Sequence, residues 1–153
     1  MLGQVSKAGI AALIPHTGAM CLLDAVLEWD QTKIRCSSRS HNDPDNPLRS
    51  GGSLTALCAI EYAAQAMAVH GGLAGNVASR PKAGYLASLR DVKCSRWRLA
   101  DLTDELIVDA EQIMGDETRV VYRFIVKVGD VEVVSGRATV VLDVTAVGRR
   151  DAA

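Results

Sequence analysis

Residues 54–69 read LTALCAIEYAAQAMAV, an almost unbroken run of small apolar side chains with one carboxylate, Glu61, in its middle. Apolar residues fall on nearly every side of a helix drawn through this run. A helix hydrophobic most of the way round is a buried one. Ser53 reads as its N-cap and Gly71-Gly72 as its C-terminal stop. Burying an unpaired carboxylate is costly, so a group so placed shifts its pKa, finds a partner or does chemistry. Glu61 is therefore the first candidate for function.

The sequence around this helix is strand-like. Before it, Cys21 to Trp29 and Thr32 to Ser38 are apolar or alternating runs joined by the turn Asp30-Gln31. The loop from His41 to Ser53 carries Asp43-Pro44, Asn46-Pro47 and Gly51-Gly52, all breakers. After the helix come Gly84 to Ser95, Glu105 to Ile113, Arg119 to Val128 and Val131 to Val144. Short Gly/Asp turns between the last three predict hairpins. Gly136 reads as a bulge or bend. The pattern is α+β, a curved antiparallel sheet wrapped around one long central helix. It forms one domain over residues 1–145, with a flexible C-terminal tail over 146–153. Leftover strand edges and apolar faces argue for a dimer.

Composition narrows the classes. The chain has 153 residues and a net charge of −1, with no basic run of the kind nucleic acid requires. Its four cysteines form no CxxC pair, and none of the three histidines neighbours a cysteine or another histidine. This favours free buried thiols in a reducing cytoplasm over disulfides, and no metal site or cofactor is expected. No apolar run is long enough for a membrane span.

The candidate site starts on the helix. Gln65 lies four residues after Glu61 and Cys58 three before it, on one stripe. A carboxyl in an apolar cleft is how acids are tuned toward neutral pH. Gly51 and Gly52, leading into the helix, let a substrate carbonyl approach the backbone. Unpaired N–H groups at the helix start could then stabilise an oxyanion. His16 has the unperturbed pKa of a general base. His41 opens a polar loop and reads as solvent-exposed. His70, nine residues past Glu61, faces away from it.

These residues resemble the 3-hydroxyacyl-acyl-carrier-protein dehydratases, a family with the hotdog fold. IPHTGAMCLLDAVLEWD, starting at Ile14, is similar to their Leu-Pro-His…Leu-Leu-Val-Asp segment. Asn42-Asp43-Pro44 is similar to their Asn-Glu-Pro, and AIEYAAQAM from Ala59 to their Ile-Glu-Ala-x-Ala-Gln helix. IPHTGAMCLLD, DNPLR and IEYAAQAMAVHGG together look like the ApeP-like branch, associated with bacterial aryl-polyene pigment synthesis.

The resemblance implies an acyl-carrier-protein thioester substrate and loss of water across C2 and C3. It also implies a homodimer or higher oligomer, or a heteromer with a second hotdog dehydratase. Glu61 matches the family's helix carboxyl, which handles the departing 3-hydroxyl; Gln65 and the two glycines would bind substrate. The family's Gly-His-Phe-Pro loop, whose histidine takes the C2 proton, corresponds here to Asp45-Asn46-Pro47, with no histidine. His16, His41 or a partner subunit then has to supply the base. Two other readings share the fold: a thioesterase using Glu61 to activate water, and a catalytically weak partner subunit of a dehydratase.

Overall fold

The structure is a computed structural model, describing residues 3–14, 18–51, 53–75, 84–95, 98–99 and 101–142. Helix α1 (Lys7–Leu13) is followed by strands β1 (Ala25–Trp29) and β2 (Lys33–Ser38) and by the long helix α2 (Ala59–Ala74). Strands β3 (Gly84–Cys94), β4 (Leu106–Gly115), β5 (Arg119–Val128) and β6 (Val131–Leu142) complete the chain. They form one six-stranded antiparallel sheet in the order β1-β2-β4-β5-β6-β3. The helix packs on β2, β4, β5 and β6. This is the hotdog arrangement.

Alternation builds the core. In β5, Tyr122, Phe124, Val126 and Val128 are buried and face α2, while Arg119 and Arg123 are exposed on the outer side. Ala59, Ala63 and Ala66 on α2 are fully buried; side chains this small let helix and sheet approach closely. The hairpin turns are set by polar side chains. Asp116 Oδ1 accepts from the backbone of Thr118 and Arg119 at 2.8 and 3.0 Å, which holds its carboxyl below the usual range. Gly129, with φ of 59°, takes the left-handed position in the β5–β6 turn.

Three local expectations need correction. Ser53 does not cap α2: it hydrogen-bonds back to Ser50 in a tight turn, and a 3-10 turn over Ala56–Cys58, preceded by Thr55, leads into the helix. Gly71-Gly72 does not stop α2, which runs on to Ala74. Gly72 instead allows α1 to pack against α2, since a Cβ there would stand 3.2 Å from Leu13 Cδ2. Gly136 is not itself a bulge. The bulge lies on β3, between Arg90 and Lys93, where Asp91 has φ of 54°. A Cβ on Gly136 would meet Val92 Cγ2 at 3.2 Å and Phe124 Cζ at 3.1 Å. The tail from 146 onward lies outside the described residues.

The two sheet edges differ. Val5 bridges to Val26 and covers β1 with hydrogen bonds of 3.1 and 2.9 Å. The edge strand β3 has exposed side chains from Leu86 to Lys93, including Leu86, Leu89 and Val92. Among the described residues no strand pairs with that outer edge, and an uncovered apolar edge is a pairing surface.

Candidate functional site

Glu61 lies in the first turn of α2 and is exposed, not buried as the apolar run predicts. The sheet and α1 cover only part of the helix circumference. The remaining stripe carries Leu57, Glu61, Ala68 and Gly71 on the outside. Leu57 is 51% exposed, so this stripe is an apolar surface with one carboxylate standing on it. Among the described residues Glu61 makes no hydrogen bond or ion pair.

Gln65, one turn on, is turned about 40° further toward the core and is 1% exposed. Its Oε1 accepts from Leu22 N at 2.9 Å and its Nε2 donates to Met20 O at 2.5 Å. The amide thereby clamps the segment after the 3-10 turn Gly18–Met20 onto α2. His16, Gly52 and the neighbours Pro15 and Thr17 lie outside the described residues. The chain just beyond His16 is thus fastened to the helix one turn from Glu61.

A second set of hydrogen bonds fixes the loop before the helix. Asn46 Nδ2 donates to Tyr62 Oη at 3.0 Å and to Ser40 O at 2.8 Å, and its Oδ1 accepts from Leu48 N at 2.8 Å. Tyr62 Oη and Ser40 Oγ are 2.7 Å apart, and Ser40 Oγ donates to Leu22 O at 2.8 Å. Ser38 Oγ donates to the same carbonyl at 2.6 Å. Both Asn46 and Tyr62 are buried, and burial pushes the Tyr62 phenol up from its usual pKa. In the sequence, Asn46 with Pro47 reads only as a loop breaker. The available signal was a Tyr adjacent to the site carboxylate and an Asn preceding Pro47.

His41 is fully buried, contrary to its reading as solvent-exposed. The 3-10 turn Ser40–Asn42 folds its ring inward, where Nε2 meets Leu102 O at 2.9 Å. Among the described residues its buried Nδ1 has no close hydrogen-bond partner. Desolvation lowers its pKa, with backbone hydrogen bonds at Leu102 and Asp104 opposing. His70 is buried on the side of α2 away from Glu61, between Tyr122 Oη at 2.7 Å and Asp30 O at 2.9 Å. Gly51, with φ of 58°, sits exposed at the Ser50–Ser53 turn. No group of three His, Cys, Asp or Glu side chains among the described residues is arranged to hold a metal. None of the described helices is long and apolar enough to cross a membrane.

The profile of the ApeP-like family, described as ApeP dehydratase, matches residues 8–146. A chain of the dehydratase heterocomplex ApeI:P from Xenorhabdus doucetiae is similar in fold, with 21% identity and a TM-score of 0.75 over 93% of this chain and 96% of that one. A thioesterase from Haemophilus influenzae aligns with 11% identity and a TM-score of 0.64, covering 90% of each chain. The PaaI protein of Escherichia coli, from a phenylacetic acid degradation operon, aligns with 14% identity and a TM-score of 0.59 over 88% of each. No curated protein sequence matches the chain.

Proposed function

The chain belongs to the ApeP-like dehydratase family, and on that premise we propose that it removes water from a 3-hydroxyacyl thioester carried by an acyl carrier protein, giving a trans-2-enoyl thioester in fatty-acid or aryl-polyene-type biosynthesis. The observation that carries this is Glu61, a solitary carboxylate on an uncovered apolar stripe. In the proposed step a base takes the C2 proton, the C2–H electron pair becomes the C2=C3 bond, and the C3–O bond breaks. The Glu61 carboxyl donates a proton to the leaving hydroxyl, which departs as water. Backbone N–H groups at Gly51 and Gly52 polarise the thioester carbonyl.

His16 is the base candidate in this reading. The Gln65 clamp supports it, because it ties the neighbouring segment to the helix one turn from Glu61. His41 is the weaker candidate, its ring buried and held at Leu102. The open β3 edge and the uncovered stripe favour a second hotdog chain over this site, as homodimer or heteromer. A cytoplasmic location fits the four free cysteines.

The test supplies a 3-hydroxyacyl-carrier-protein substrate to the purified chain, alone and with a conventional hotdog dehydratase chain. Enoyl product that falls at least ~100-fold in Glu61→Gln and in His16→Ala supports both roles. Absence of enoyl product under both conditions refutes the dehydratase reading. Release of free thiol in its place moves the assignment to thioesterase. Full activity of a mixed complex carrying Glu61→Gln moves it to a supporting subunit.

A further inference from the structure

On the side of the sheet opposite α2, four strands frame a shallow depression of about 540 Å³. Its floor is apolar, with Ile113, Met114, Val121 and Val141; Met114 is 65% exposed. Arg90, Arg119 and Arg137 line it, and among the described residues no carboxylate does. The register explains this frame. Arg123, Arg137 and Arg90 are cross-strand neighbours on β5, β6 and β3. Arg119 stands four residues before Arg123 on β5, with Val121 between them.

Strand spacing puts the three-arginine row about 10 Å across, and four residues along β5 span about 13 Å. That frame matches the width of one α-helix, about 10–12 Å. The carboxylates nearby do not cancel it. Asp91 pairs with Arg137 at 3.4 Å and Glu111 with Arg123 at 3.9 Å, both between exposed side chains that exchange readily with solvent. Asp116 Oδ1 is engaged mainly by its own turn, with a smaller charge interaction to Arg119. Arg90 and Arg119 make no ion pair among the described residues. A second copy stacked face to face about a two-fold axis would set arginine against arginine, so the face suits a different occupant.

We propose that the outer face of β3, β4, β5 and β6 docks an acidic amphipathic helix of a partner protein. The apolar stripe of that helix covers Met114 and Val121, and its flanking carboxylates meet Arg119 on one side and Arg90 and Arg137 on the other. The dehydratase reading is not needed for this surface and does not depend on it.

The probe is a designed helix of about five turns with a leucine stripe flanked by glutamates, and a matched version with lysines. Binding to the whole chain is read by fluorescence anisotropy at low and near-physiological salt. The glutamate helix is expected to bind at least ~10-fold tighter than the lysine helix and to weaken with salt. The triple variant Arg90→Glu, Arg119→Glu, Arg137→Glu is expected to invert the preference with an unchanged melting temperature. If the triple variant does not fold, Arg90→Glu on the edge strand gives the same readout, a fall of at least ~3-fold in preference. Equal binding of the two helices, or a preference retained in the variant, overturns the proposal. So does displacement by inorganic pyrophosphate at matched concentration, which would mark an anion site only. A change of oligomeric state in the variant would assign the face to contacts between copies and also overturn it.

Discussion

Truncating Gln65 should cost more stability than any other single polar substitution on α2, and the structure sets the size. Its amide satisfies Leu22 N and Met20 O. Leu22 is fully buried, so its N–H is left with no acceptor when the amide goes, at about 1–3 kcal/mol. Met20 is 37% exposed, and water can take over its carbonyl. Gln65→Met keeps the volume and loses both hydrogen bonds, so it isolates that cost. Gln65→Ala adds a cavity and should reach about 2–4 kcal/mol. Helix propensity cannot supply the loss, because Ala and Met are as good in a helix as Gln or better. At about 2–4 °C per kcal/mol for a chain this long, the alanine variant should melt roughly 5–15 °C lower. Urea unfolding and calorimetry on the two variants give both numbers. A loss below about 1 kcal/mol in both would mean that the segment before β1 is not held by this amide, and would remove the support it lends to His16.

Stability should fall as pH drops below about 6.5, because His41 and His70 are both buried with pKa values lowered by desolvation. The neutral form is the one the fold favours. Its contribution is therefore fully present above the unfolded pKa and is lost as pH falls toward the folded values, at up to about 1.4 kcal/mol per pH unit for each histidine. Urea midpoints between about pH 8 and pH 5 check this, and His70→Gln should flatten the slope. Gly136→Ala should cost about 1–3 kcal/mol, since its Cβ would press on Phe124, Val92 and the Arg90 carbonyl; amide exchange should speed up most along β3. Cys36, whose thiol is fully buried and pushed up to about 12, should resist alkylation until the chain unfolds, while half-buried Cys58 and Cys94 react first. Mass spectrometry after timed labelling reads that order.

The helix and five of the strands were legible because their periodicity is local. Tyr122, Phe124 and Val126 alternate with outward residues, and that alternation survives in the fold. β3 was only loosely legible, since two breaks in its register disrupt the alternation. Glu61 stood out in the sequence, but its exposure did not. An all-round apolar helix says that most faces are covered and cannot say which arc its own sheet leaves open. Glycine carries two meanings that sequence does not separate. Gly72 looked like a stop and is a close approach to Leu13. The Asn46–Tyr62–Ser40 connection joins residues whose pairing depends on where the loop lands, so nothing in the local pattern announces it.

That connection bears on the missing base. The loop that resembles the family's histidine loop is not an empty frame awaiting a side chain. Asn46 points inward, 5% exposed, and makes three hydrogen bonds to Tyr62, Ser40 and Leu48. Arg49 then ties the loop down from outside, donating to the carbonyls of Asp43 and His41 at 2.8 and 3.1 Å. A histidine placed at 46 would lose those bonds, leave Leu48 N and the Tyr62 phenol short of partners, and face the interior rather than the stripe that carries Glu61. The loop is built to be rigid at the cost of being catalytic. In the proposed reaction the proton acceptor then comes from a position other than 46. The N-terminal stretch held by Gln65 is anchored beside the helix one turn from Glu61, and the open β3 edge is where a second chain would bring its own.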